Sequence, residues 1–182
     1  MARLFIAVEL PDSVKHSLSR LRTPITGAKW VPVEQLHLTL AFLGEVDETA
    51  TGLLLAALSA VKVPEFTLRF SEAGCFPNRS RPRMLWVGLK QNPHLNSLAA
   101  QVRSAVLECG IPQEERPFSP HITLARLKQP AGHEVAHFLN QPHPPASSKF
   151  AVREFILYQS RLTTAGTVHS PLKAFSLMTG RK

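Results

Sequence analysis

The chain is poor in cysteine and in acidic residues, and it has no long apolar run. Its two cysteines, Cys75 and Cys109, lack the spacing of a disulfide framework. That argues for free, buried thiols in a reducing compartment, the cytoplasm by default. No stretch approaches the ~20 consecutive apolar residues of a membrane helix. The N-terminal run Leu4-Phe5-Ile6-Ala7-Val8 is too short for a secretory leader and meets Glu9 at once, so it reads as a first strand. Nothing matches the aromatic-studded sheet of an RNA-recognition domain. No low-complexity linker divides the chain, and 44% hydrophobic against 19% charged content excludes a disordered one. The shortage of acids has the sharpest consequence. Against 13 Asp and Glu stand 21 Lys and Arg, a net charge of +8, and a small domain this basic suits a polyanionic partner.

What is present is a repeated motif. His37-Leu38-Thr39-Leu40-Ala41-Phe42-Leu43 lines up with His121-Ile122-Thr123-Leu124-Ala125-Arg126-Leu127, and only Phe42 against Arg126 changes character. One His-x-Thr is weak, but the extended match reads as an internal duplication and hence as two similar lobes. In a strand, side chains alternate between faces, so His and Thr share one face and the aliphatics the other. Two such strands face to face make a cleft holding two imidazoles and two hydroxyls.

That set suits phosphodiester chemistry. In-line displacement needs a base for the incoming oxygen and an acid for the leaving one, on opposite sides of phosphorus. Two imidazoles from opposing lobes meet that demand near neutral pH without a metal. The threonine hydroxyls are placed to donate to the non-bridging oxygens.

Along the chain, helical spacing is expected from Asp12 through Leu21, ended by Thr23-Pro24 although Ile25 continues the spacing, from Asp47 or Thr49 to about Val61, from Asn92-Pro93 to Gly110, and briefly around Glu134–Leu139. Strands are expected at Arg3–Glu9, Leu36–Leu43 (broken by Gly44), Phe66–Ser71 running toward Phe76, Met84–Leu89 in a central position, the second motif, Phe150–Leu157 continuing to Ser160, and Val168–Leu177. The fold class is α+β: one bilobal domain over residues 1–182, two mostly antiparallel sheets with outer helices related by a pseudo-twofold, and the cleft between lobes.

Leu4-Phe5-Ile6-Ala7-Val8-Glu9-Leu10-Pro11, His37–Gly44, Arg116-Pro117-Phe118-Ser119-Pro120 with His121–Arg126, and Glu154–Tyr158 and Ser170–Lys173 together resemble bacterial RNA 2′,3′-cyclic phosphodiesterases. These are also called 2′-5′ RNA ligases (LigT-like), of the two-histidine phosphoesterase superfamily. The resemblance implies metal-independent hydrolysis of RNA 2′,3′-cyclic phosphate ends to 2′-phosphomonoesters, with a reversible joining to 5′-hydroxyl RNA. It implies His37 as proton donor and His121 as proton acceptor, which the near-equivalent motifs alone do not assign. It also implies Arg126 as a phosphate ligand beside Thr39 and Thr123. Arg126 lies five residues after His121, so a bulge, twist or strand end must re-aim it. Phe42 is expected to be core or a wall for a base.

No cofactor or metal is expected, and the expected partner is RNA met by a monomer away from membranes. Two alternatives remain. His133-Glu134-Val135-Ala136-His137 fits the H-E-x-x-H zinc signature, against which stand its short helix, flanked by Pro130, Gly132 and Pro142, and a third ligand no better than His143. The other is a non-catalytic RNA-binding module. His16, His94 and His169 read as exposed polar residues, and Arg79, Arg81 and Arg83 as a solvated loop that can guide RNA.

Overall fold

The computed structural model describes residues 1–142 and 149–179. Strand β1 (Ala2–Glu9) leads into helix α1 (Asp12–Ser19), a short strand β2 (Ala28–Trp30) and a 3-10 turn at Val33–Gln35. Then come β3 (His37–Val46), α2 (Glu48–Ser59), β4 (Phe66–Phe76), β5 (Met84–Leu89) and α3 (Pro93–Glu108). The remainder is β6 (His121–Leu127), α4 (Gly132–Asn140), β7 (Lys149–Val152), β8 (Glu154–Thr163) and β9 (Gly166–Ser176).

The strands form two antiparallel sheets, one in the order β3-β1-β8-β9 and the other in the order β2-β6-β5-β4-β7. The α+β, two-sheet expectation holds, and β5 is central in its sheet. Capping sets the helix starts as the sequence suggests. The Asp47 carboxylate accepts from the Ala50 amide at 2.7 Å, and Asn92 accepts from His94 and Leu95 ahead of Pro93.

The first sheet is curled. In a flat sheet β3 and β9, with two strands between them, would lie about 14 Å apart. Instead Gln35, at the foot of β3, donates through Nε2 to the Thr167 carbonyl of β9 at 2.6 Å. Phe5 of β1 touches rings from β3, β8 and β9 at once. The outward apolar faces of both motif strands, Leu38 and Leu40 with Ile122 and Leu124, join one hydrophobic cluster drawn from both sheets.

Four expectations need correction. Helix α1 stops at Ser19, ahead of the Thr23-Pro24 stop read from the sequence, so Leu21 lies beyond the helix and Ile25 reaches the core from a loop. Gly44 does not end β3. It sits in a bulge with φ +68°, pairs with Leu4, and the strand continues to Val46. Phe150–Leu157 is two strands: β7 pairs with β4, β8 pairs with β1, and Arg153 carries the chain from one sheet to the other. The two cysteines are half-buried rather than buried.

Leu38 sits fully buried between the two polar residues of its motif. Leu38→Ala is expected to cost ~2–5 kcal/mol through lost burial and the cavity left behind, read as a lowered urea midpoint at unchanged slope.

Candidate active site

Both motif strands follow one exposure pattern. His37 and Thr39 are half-buried, Leu38, Leu40 and Ala41 are buried, and Phe42 is exposed; His121 through Arg126 repeat this residue for residue. Two consecutive buried residues break the alternation, and the ladders show why. On β3, Thr39 pairs with Ala7 and Ala41 with Ile6, which leaves Leu40 as an extra residue. On β6, Thr123 pairs with Trp86 and Ala125 with Leu85, which leaves Leu124 extra. Each bulge returns the sixth residue of its motif to the His-Thr face. The bulge required to re-aim Arg126 is therefore there, and Phe42, 68% exposed, is its counterpart on the other strand and not core.

The two imidazoles are held alike. His37 Nδ1 lies 2.6 Å from the Gln35 carbonyl oxygen, and His121 Nδ1 lies 2.7 Å from that of Ser119. A carbonyl only accepts, so Nδ1 carries the hydrogen in both rings and each Nε2 is left for the cleft. The Thr39 hydroxyl is 3.0 Å from His37 Nε2. The Thr123 hydroxyl donates to the Met84 sulfur at 3.4 Å. Strands β3 and β6 run close to each other where the sheets adjoin, and Gln113, in the loop before the second motif, donates to the Phe42 carbonyl at 2.9 Å.

Each histidine has its own aromatic setting. Phe5 lies 5.1 Å from the His37 ring, stacks on Tyr158 at 5.1 Å, and meets His169 edge-on at 4.8 Å. His121 is flanked by Phe76 at 5.1 Å and Trp86 at 6.3 Å. Gly74 makes room for that indole: a Cβ there would lie 2.4 Å from Trp86 Cζ2.

Burial holds the His37 pKa below the usual histidine value; the bond to Gln35 opposes this, while His169 and Lys15 reinforce it. Burial likewise lowers His169. Tyr158 is pushed up to about 12, by burial first and then by Glu9 and Glu154. Lys15, buried, donates to Glu9 at 3.1 Å and to the Glu34 carbonyl at 3.2 Å, so it ties α1 and the end of β1 to the turn that carries His37.

His133 and His137 lie on the exposed face of α4, and the Glu134 carboxylate accepts from the Thr26 amide at 3.1 Å, the bond that lowers its pKa. His143 falls outside the described residues. The Asn78 side chain accepts from the Ser80 and Arg81 amides and organises the arginine loop. Sequence reasoning missed His169, which lies 5.7 Å from the His37 ring; its placement follows from the curl of the sheet, which no local pattern carries. It also missed the stack of His94 on Phe66 at 6.2 Å. The open groove between α2 and α3, lined by Ala57, Val61 and Ala105, holds none of the motif residues.

The model of the 2′-5′ RNA ligase superfamily matches residues 10–163. The chain belongs to that superfamily. It is 34% identical over 176 residues to the RNA 2′,3′-cyclic phosphodiesterase of Archaeoglobus fulgidus, covering 95% of this chain and 99% of that one. To the protein of the same name from Escherichia coli it is 35% identical over 179 residues, 96% of each. Among solved structures, E. coli LigT complexed with 3′-AMP superposes with a TM-score of 0.82 at 34% identity, covering 97% of this chain and 98% of that one. No helix among the described residues of this superfamily member is long and apolar enough to cross a membrane.

Two expected outcomes follow from the site's packing and charge. Gly74→Ala forces the Trp86 ring off His121 and should cost ~1–3 kcal/mol of stability, visible in indole fluorescence and in the urea midpoint. With folded pKa values lowered, His37 and His169 favour the fold fully above about pH 6.5, where both are neutral in either state. Below it the unfolded chain binds more protons and stability falls toward the folded values. Urea midpoints at pH 7.5 and pH 5 should show that loss, and His169→Gln should shrink it.

Proposed function

We propose that this chain hydrolyses RNA 2′,3′-cyclic phosphate ends to 2′-phosphomonoesters with the two motif histidines as its acid and base. The observation that carries the reading is the matched pair of imidazoles, each fixed through Nδ1 and each leaving Nε2 to the cleft beside a threonine. His121 Nε2 takes the proton of an attacking water as its oxygen bonds to phosphorus. The bond from phosphorus to the ribose 3′ oxygen breaks, and His37 Nε2–H gives that oxygen its proton. The products are a 2′-phosphate and a free 3′-hydroxyl, with the proton inventory of the two rings exchanged.

Thr39 and Thr123 donate to the non-bridging oxygens, and Arg126 supplies a guanidinium fork to the same phosphate. Phe42 gives the terminal base a wall to lie on. No step calls for a metal or cofactor. A 5′-hydroxyl in place of water gives a 2′-5′ linkage by the same proton transfers, reversibly.

The lowered pKa of His37 bears on its role as donor. Its burial disfavours the imidazolium, and an arriving phosphate supplies the counter-charge that restores it. The alkaline limb of kcat should therefore lie at higher pH than that of kcat/KM, since only the former reports the bound state; coincident limbs would argue against the assignment. The assignment of acid to His37 and base to His121 follows the family resemblance.

Hydrolysis of a nucleoside 2′,3′-cyclic phosphate, with products resolved, tests the reading. The 2′-phosphate should form in the presence of EDTA. His37→Ala and His121→Ala should each abolish turnover with the fold intact by circular dichroism, and Thr39→Ala and Thr123→Ala should each cost ~10²-fold. Full activity in both histidine variants would sink the mechanism, and activity lost to EDTA and restored by zinc would move the chemistry to His133 and His137.

A further inference from the structure

The ladder between β2 and β6 sets Lys29 directly opposite Arg126. Directly opposed residues project to the same face of a sheet, so Lys29 shares the face that carries His121, Thr123 and Arg126. Both cations are exposed, and among the described residues neither has a carboxylate partner. Like charges set opposite each other repel and weaken a ladder. On the other flank of Arg126 stands Met84, which is uncharged, so the cation set directly opposite Arg126 in the ladder is Lys29 of β2.

The position is well defined. Strand β2 is the edge of its sheet. Its neighbour Trp30 points the other way and packs on Phe138 of α4 at 5.8 Å. At the foot of the strand, the Lys128 amide donates to the Gly27 carbonyl at 2.9 Å, and a Cβ on Gly27 would fall 1.9 Å from the Lys128 carbonyl oxygen. No shift of β2 by a residue is compatible with these contacts, so Lys29 cannot trade faces with Trp30. Arg126 lies two ladder positions beyond Thr123, about 7 Å along the strand, and Lys29 extends the cationic surface outward from there.

We propose that Lys29 is the phosphate-binding residue of a second subsite, which takes the phosphodiester immediately 5′ of the nucleotide bearing the cyclic phosphate. This rests on the hydrolase reading above and adds a substrate preference to it: oligonucleotide ends over mononucleotides. The reacting phosphate sits among the motif hydroxyls, Arg126 borders it, and Lys29 meets the next anion along the strand. An anion between the two cations also relieves their mutual repulsion.

The test compares a nucleoside 2′,3′-cyclic phosphate with a tetranucleotide ending in the same group, for the wild-type chain, Lys29→Ala, Lys29→Arg, and Lys62→Ala as a matched loss of charge beside α3, where the Lys62 backbone bonds to Gln101. Lys29→Ala should raise KM for the tetranucleotide ~10-fold, the scale of one charge-assisted phosphate contact. The ratio of tetranucleotide to mononucleotide kcat/KM should fall by the same factor. The slope of log KM against log salt should flatten by ~0.7, the value for one phosphate on a single strand. Lys29→Arg should retain the ratio, Lys62→Ala should leave it unchanged, and the melting temperature of Lys29→Ala should not drop. Binding of a tetranucleotide ending in a 2′-phosphate, followed by fluorescence anisotropy, reads the same subsite without turnover and should weaken ~10-fold. An equal loss on both substrates, no loss on either, or a loss confined to joining with 5′-hydroxyl RNA would each overturn the proposal. A wild-type chain that binds the tetranucleotide through Lys29 but turns over neither substrate would overturn the hydrolase reading while leaving the subsite in place.

Discussion

Two short hydrogen bonds, from His37 Nδ1 to the Gln35 carbonyl and from His121 Nδ1 to that of Ser119, fix much of the rest. Each joins a side chain to the backbone two residues earlier, so the segment leading into a motif strand sets both tautomer and ring direction. That demand explains the investment in those segments. Before β3, Gln35 is braced to β9 through Thr167, and the Glu34 carbonyl is held by buried Lys15. Before β6 stands the run Pro117-Phe118-Ser119-Pro120, whose two prolines restrict the backbone around the accepting carbonyl. A ring anchored in this way has little rotational freedom left to lose when any ligand binds.

The same sheet face does two jobs on the two sides of the cleft. On the first sheet the surroundings of the histidine are aromatic, with Phe5 at the centre, and burial there lowers the His37 pKa. On the second sheet the equivalent strand carries Arg126 opposite Lys29. Two strands with the same motif and the same bulge thus carry an apolar wall on one sheet and a cationic wall on the other. A nucleotide has a matching division, one flat apolar base and one charged phosphate.

Much of this was legible in the sequence, for definable reasons. The strand character of both motifs followed from period-two alternation, and their shared face from the spacing of His and Thr. The ends of α2 and α3 followed from Asp47 and Asn92-Pro93, because capping is local chemistry. What escaped depends on partners distant in sequence. The bulges at Leu40 and Leu124 exist only relative to β1 and β5, so the sequence posed the problem of Arg126's odd offset without locating its solution. His169 approaches His37 only because the sheet curls. The break at Arg153 did leave a local trace, since the charged pair Arg153-Glu154 interrupts the alternation of Lys149–Val152 with two consecutive exposed positions. A continuous reading of Phe150–Leu157 passed over it.

The order of strands has a mechanical consequence. Along the chain, β1 belongs to the first sheet, β2 to the second, β3 to the first, β4 through β7 to the second, and β8 and β9 to the first again. The backbone therefore stitches the sheets together at four separate places rather than joining them by one strap. Parting them like a jaw would strain every stitch at once. The spacing of the two motif strands is therefore set by the weave of the whole chain rather than by any single connection between the sheets.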